Sequence, residues 1–135
     1  MRGFAAMLDT NVVSQLMRAP QGPLRQRLER FGVQNACISI LSAAELRYGA
    51  YKVASRRIHG QIGSVLASIQ VVPFETPADD HYGRLRADLF RIGRPIGPTD
   101  LLIAAHALSL KLTLVTGNTG EFSRVPGLVV ENWLD

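Results

Sequence analysis

Apolar positions along the chain fall into short, nearly continuous runs separated by longer stretches with helical spacing. "FAAML" (residues 4–8), closed by "DTN", predicts a buried strand turning into a helix. "VVSQLMR" continues that helix until "APQGP" breaks it, and "LRQRLERF" starts another. "ACISI" (36–40) is rich in β-formers and reads as the second strand. "SAAELRYGAYKV" and "RRIHGQIGSVLASI" read as helices, the latter weakened by its two glycines. "QVVPF" is a third strand, and "PADDHYGRLRADLFRIG" opens with a proline and two acids, as helices often do. After "RPIGP" a helix opened by Thr99 runs through "LLIAAHAL". "LTLVT" is a fourth strand, "GNTGEFSRVPG" a loop and "LVVENW" a last short strand. Apolar strands alternating with helices predict a parallel sheet covered on both faces. The expectation is a three-layer α/β/α sandwich around a mostly parallel sheet, with residues 1–135 as one domain.

Composition narrows the class. A chain of 135 residues, 47% hydrophobic and 19% charged, is long enough to bury a core and too apolar to be disordered. The formal charge of +4 comes from 13 arginines and two lysines against 11 acids. Arginine forks match phosphate in a two-pronged geometry that lysine lacks, so the balance is compatible with a nucleic-acid partner without establishing one. The lone Cys37 excludes an internal disulfide or a thiolate metal cluster and reads as a small core residue. Asp9 and Asn11 cut the first apolar run short of a signal core, and no run reaches the roughly 18 apolar residues of a membrane span. The expected location is the cytoplasm.

In open parallel sheets, ligands bind beyond the carboxyl ends of the strands, where the topology switches direction. Acids placed there are Asp9, after the first strand; Glu45, in the first turn after "ISILS"; and Asp100, at the mouth of the "LLIAAHAL" helix. Glu121, with Thr116 and Asn118, follows the fourth strand. Each has a structural explanation of its own. Asp9, Thr10 and Asn11 can cap a helix, Ser42 and Glu45 have the spacing of a capping box, and Asp100 suits a helix dipole. Thr116, Asn118 and Glu121 can be turn residues. The combination says more: uncompensated carboxylates brought together repel, so a cluster of them calls for a cation. All-oxygen donors suit Mg²⁺ or Mn²⁺ better than Zn²⁺.

Four segments, "MLDTNVVSQL", "ISILSAAELRYGA", "GRPIGPTDLLIAAHAL" and "LVTGNTGEFSRVPGLVVENW", resemble in order and spacing the motif blocks of PIN-domain ribonucleases. The resemblance is greatest to the VapC toxins of bacterial toxin–antitoxin pairs. It implies that Asp9, Glu45 and Asp100 match the metal-holding acids and that Thr116 matches a hydroxyl that orders the site. Asn118 stands where many PIN domains carry aspartate, with Glu121 a second candidate for that charge. Gly117 departs from the basic or polar residue expected there. The resemblance further implies a structured RNA substrate, a tRNA foremost, a VapB-like antitoxin and a homodimer. In such proteins the early helices form a groove for the antitoxin's tail, whose basic residue can plug the acids.

Hydrolysis of a phosphodiester needs an activated water and relief of charge on the phosphate, both of which Mg²⁺ held by Asp9 and Asp100 can supply. Glu45 completes the shell or acts as general base through a water. Arg84 and Arg91 share a helix face with Asp88, as RNA contacts or as a solvated ion-paired face; Arg94, beside the Asp100 loop, is the better phosphate contact. His59, His81 and His106 lack the i, i+4 partner of a metal helix, and His106 faces away from Asp100. The competing reading is a catalytically inactive PIN-like module that binds RNA or protein, favoured by Asn118. A dehalogenase-like phosphatase wants a second acid at Asn11, and a receiver domain wants acids and a lysine that are not visible here.

Overall fold

The computed structural model describes residues 3–134. Five strands, β1 (Ala6–Leu8), β2 (Ala36–Ser39), β3 (Gln70–Val72), β4 (Thr113–Val115) and β5 (Val130–Glu131), form one sheet in the order β3-β2-β1-β4-β5. Every pairing is parallel. Seven α-helices connect or follow them among the described residues: α1 (Thr10–Arg18), α2 (Pro23–Phe31), α3 (Ile40–Lys52), α4 (Arg56–Ser68), α5 (Ala78–Arg91), α6 (Pro98–Ser109) and α7 (Thr119–Phe122). The expected α/β/α sandwich is the observed fold.

Successive strand residues face opposite sides, and the core divides accordingly. Ala6, Leu8, Ile38 and Val115 meet Val12, Val13 and Leu16 of α1, Leu24 and Leu28 of α2 and Ile62 of α4. Met7, Cys37 and Leu114 turn the other way, toward Leu85 and Leu89 of α5, Leu101 and Ile103 of α6, and Phe122 of α7. Burial pushes the Cys37 thiol up to about 12, so it is an unreactive core residue. No helix among the described residues is long and apolar enough to cross a membrane.

The register places Leu8 beside both Ile38 and Val115. The central strands therefore end together, and Asp9 and Thr116 emerge side by side. Going outward from β1, the chain proceeds to β2 and β3 on one side and to β4 and β5 on the other. The switch point lies between β1 and β4.

Three local expectations need correction. The strands are shorter than the apolar runs: β3 stops before Pro73, which has no amide hydrogen for the ladder, and Ile40 already belongs to α3. The segment 117–127 is not all loop, since α7 forms within it. The capping box at Ser42 is absent. Ser39 caps α3, its Oγ accepting from the Leu41 amide at 3.0 Å, while Ser42 is buried one turn inside the helix with its hydroxyl unpartnered.

Candidate active site

Asp9 is almost fully buried and uses its two oxygens differently. Oδ1 accepts from the Thr10 amide at 2.8 Å, which caps α1. Oδ2 accepts from Thr116 Oγ1, also at 2.8 Å, tying the end of β1 to the end of β4. The cap and the site are thus one residue. Burial, the largest influence, raises the Asp9 carboxyl above its ordinary pKa; the hydrogen bonds from Thr116 and Thr10 oppose the rise, and the charges of Glu45 and Glu121 add to it.

Glu45 reaches the site from the second turn of α3, where Thr10 Oγ1 donates to its Oε1 at 2.6 Å. Asp100 lies in the first turn of α6, behind Gly97 at the helix N-cap and Pro98 at the first position. The helix therefore begins one residue earlier than Thr99, and no side chain caps it, so Asp100 is not spent as a cap. A Cβ at Gly97 would lie 3.9 Å from Asp100 Oδ2 and 4.0 Å from Glu121 Oε1, which places both acids over the same glycine. Burial first, then a proton shared with Glu121 and the charges of Glu121, Asp9 and Glu45, push Asp100 up to about 7.

Glu121 is carried in by α7. The Gly97 amide donates to its Oε1 at 3.3 Å, and Asn118 Nδ2 approaches its Oε2 at 3.4 Å. Asn118 also donates its backbone amide to Thr116 Oγ1 at 3.0 Å. The acid beside Asp100 is therefore Glu121, with Asn118 as the amide that steadies it. Among the described residues the three ion pairs all lie elsewhere, leaving the four acids without a cationic partner. As the side chains stand, Asp100 and Glu121 lie together over Gly97, and no three His, Cys, Asp or Glu among the described residues form a ready cage for an ion.

Other residues singled out in the sequence lie further off. Arg84 pairs with Asp80 at 3.2 Å and Arg91 with Asp88 at 2.8 Å, both on the exposed face of α5. Arg94 is exposed between α5 and α6. His59 packs edge-on against Tyr51, and His81 is half-buried on α5. His106 is buried, with Nδ1 2.8 Å from Ser39 Oγ, and burial lowers its pKa. It braces the start of α3 rather than meeting the acids. Thr10 and Asn11 were legible only as cap residues, yet Thr10 holds Glu45 and Asn11 Oδ1 accepts from the Gly117 amide at 3.2 Å.

The site thus sets buried, uncompensated carboxylates at the switch point of a parallel sheet. A family model for the PIN domain matches residues 6–128. The chain belongs to the PIN-domain family.

Within that family it stands with the VapC ribonucleases. It is 38% identical over 128 residues to the tRNA(fMet)-specific endonuclease VapC of Salmonella typhimurium, and 41% identical over 130 residues to the protein of that name from Shigella flexneri. Each match covers 94% of this chain and 96% of the relative. In structure, it is similar to the VapBC2 complex from Rickettsia felis bound to a promoter DNA fragment. That likeness has a TM-score of 0.88 and 34% identity over 96% of this chain and 99% of the other.

Proposed function

We propose that the chain is an endoribonuclease toxin of a toxin–antitoxin pair that hydrolyses phosphodiester bonds of tRNA with the help of Mg²⁺, for which Mn²⁺ can substitute. The observation that carries this reading is that Asp9, Glu45 and Glu121 all act by charge on Asp100 at the switch-point edge, with no ion pair to any of the four. The names of the relatives, endonucleases and ribonucleases, support it.

The residues suit a divalent ion by their chemistry, because the donors are hard carboxylate oxygens whose mutual repulsion an ion would relieve. Asp9, Glu45, Asp100 and Glu121 would hold it. When bound, Mg²⁺ lowers the pKa of a water and offsets charge on the phosphate. The chain's own residues do the positioning. Thr116 fixes Asp9, Thr10 fixes Glu45, and the Gly97 amide and Asn118 steady Glu121. Arg94, exposed in the segment that leads into α6, is proposed as a phosphate contact. Arg84 and Arg91 would exchange exposed ion pairs, which contribute little, for RNA phosphate.

A VapB-like antitoxin is the proposed partner, in keeping with the VapBC complexes among the structural relatives. A groove of about 770 Å³ between α1, α3 and α4 runs from Met17, Val53 and Ile58 up to Thr10 and Glu45. A segment lying in it would bring a basic side chain to the acids. A homodimer is proposed from the family alone.

Incubating the antitoxin-free protein with initiator tRNA and with total tRNA, in Mg²⁺ or in EDTA, beside an Asp100→Asn control, tests this function. Discrete fragments that require both metal and Asp100 are expected. Intact RNA under every condition overturns it.

A further inference from the structure

We propose that Arg27 and Arg30, with Gln15, form a phosphate-binding subsite for the RNA strand next to the scissile position. This inference rests on the nuclease reading and names how its substrate is held. The subsite is a hollow of about 570 Å³ between α1, α2 and the C-terminal segment, lined by Gln15, Pro23, Leu24, Arg27, Arg30 and Trp133 with Leu134.

Arg27 is held in place without spending its charge. Its guanidinium lies over the Trp133 ring, 5.2 Å from the centroid. Trp133 is itself fixed, buried to 5% exposure, with Nε1 donating to Glu131 Oε1 at 3.0 Å and Phe31 against its ring at 4.9 Å. Among the described residues no carboxylate pairs with Arg27 or Arg30. Arg18 donates to Gln15 Oε1 at 3.1 Å, leaving the Gln15 amide hydrogens for another acceptor. The hollow therefore offers two unpaired guanidinium forks and an amide donor. That set matches phosphate oxygens, and a preorganised arginine loses less freedom on engaging them.

The hollow is linked to the segment that carries Thr116 by way of α1 and Leu134. Gln15 lies one turn along α1 from Asn11, on the same face, about 6 Å along the axis. Asn11 holds the Gly117 amide next to Thr116. Leu134 lines the hollow and also meets Gly117, where a Cβ would come within 2.7 Å of its Cδ1. A strand with one phosphate at the acids thus reaches Arg27 and Arg30 along Asn11 and Gln15. A cationic track beside a catalytic centre is the usual way a nucleic-acid backbone is held.

Binding of initiator tRNA to the Asp100→Asn protein, followed across salt concentration, tests this, with and without Arg27→Ala/Arg30→Ala. The double substitution is expected to weaken binding about tenfold and to lower the slope of log Kd against log salt by about 1.4, two phosphates of single strand. In the protein with Asp100 intact it should raise KM about tenfold and leave kcat within about twofold. Arg27→Lys, which keeps the charge and loses the flat stack, should fall between. Lys111→Gln, removing a charge at the far end of β4, should change neither KM nor affinity. Unchanged affinity and slope while the parent protein still cleaves tRNA would overturn the subsite alone. So would a double variant that binds tRNA normally but has lost affinity for the antitoxin, marking a protein interface. A parent protein that neither binds nor cleaves tRNA removes the nuclease reading, and the subsite with it.

Discussion

Thr116 Oγ1 donates to Asp9 Oδ2 at 2.8 Å inside the core, joining the ends of two adjacent parallel strands. The bond fixes the orientation of the most buried acid of the site and supplies one of its oxygens with a donor. Thr116→Val keeps the shape and removes the donor. It should cost about 1–3 kcal/mol, the penalty for a buried polar group left unpaired. RNA cleavage should fall at least tenfold, while Thr116→Ser should retain most of both. Thermal melting and tRNA cleavage of the two variants check this.

Asp100, raised to about 7, makes the metal-free protein sensitive to pH in a definite sense. The folded state holds this proton more tightly than the unfolded chain, whose carboxyl titrates near 4. The stabilising effect is therefore complete below about pH 4 and is lost as pH rises to about 7. His106, with a lowered pKa, acts in the opposite sense as pH falls. In EDTA, the melting temperature of the native protein relative to Asp100→Asn should therefore decline from pH 5 to pH 8. A flat difference contradicts it.

Glu121, rather than Asn118, is expected to supply the fourth carboxylate, because it shares Gly97 with Asp100. Glu121→Gln should weaken Mn²⁺ binding by tenfold or more. Asn118→Ala, which removes only a supporting amide, should weaken it by less. Calorimetric titration of both variants decides the order.

Ser39 has two duties, capping α3 and meeting His106 Nδ1 at 2.8 Å. Loss of a cap costs about 1 kcal/mol, and an orphaned buried partner adds about 1–3 kcal/mol. Ser39→Ala should therefore lower the melting temperature clearly. Because the hydroxyl touches none of the four acids, kcat should fall less than for Thr116→Val. Melting and single-turnover cleavage measured together test both halves.

Much of this was legible in the chain because two periods are simple. Short apolar runs marked all five strands, and the polar residues closing the first and fourth runs, Asp9 and Thr116, marked the sheet edge of the site. The residues around Glu45 were harder. Ser39 and Ser42 both lie near the start of α3, and only packing decides that the strand hands over at Ile40, so that Ser39 caps and Ser42 is buried. The short helix α7 was hidden because four residues carry too little pattern to separate from a turn, yet it is what aims Glu121. Arg27 lies in the run "LRQRLERF", which marks only a helix; its stack on Trp133, over a hundred residues away, is a tertiary fact. Neither could be seen without the fold.

On the proposed function the four acids are a cation site and not a set of helix caps and turn residues. Titration of the purified protein with Mn²⁺, beside Asp100→Asn and Asp9→Asn, tests it most directly. Saturable binding is expected in the native protein and a loss of at least tenfold in either variant, with each variant still folded by circular dichroism. Equal binding by all three proteins, or none by the native one, would contradict it.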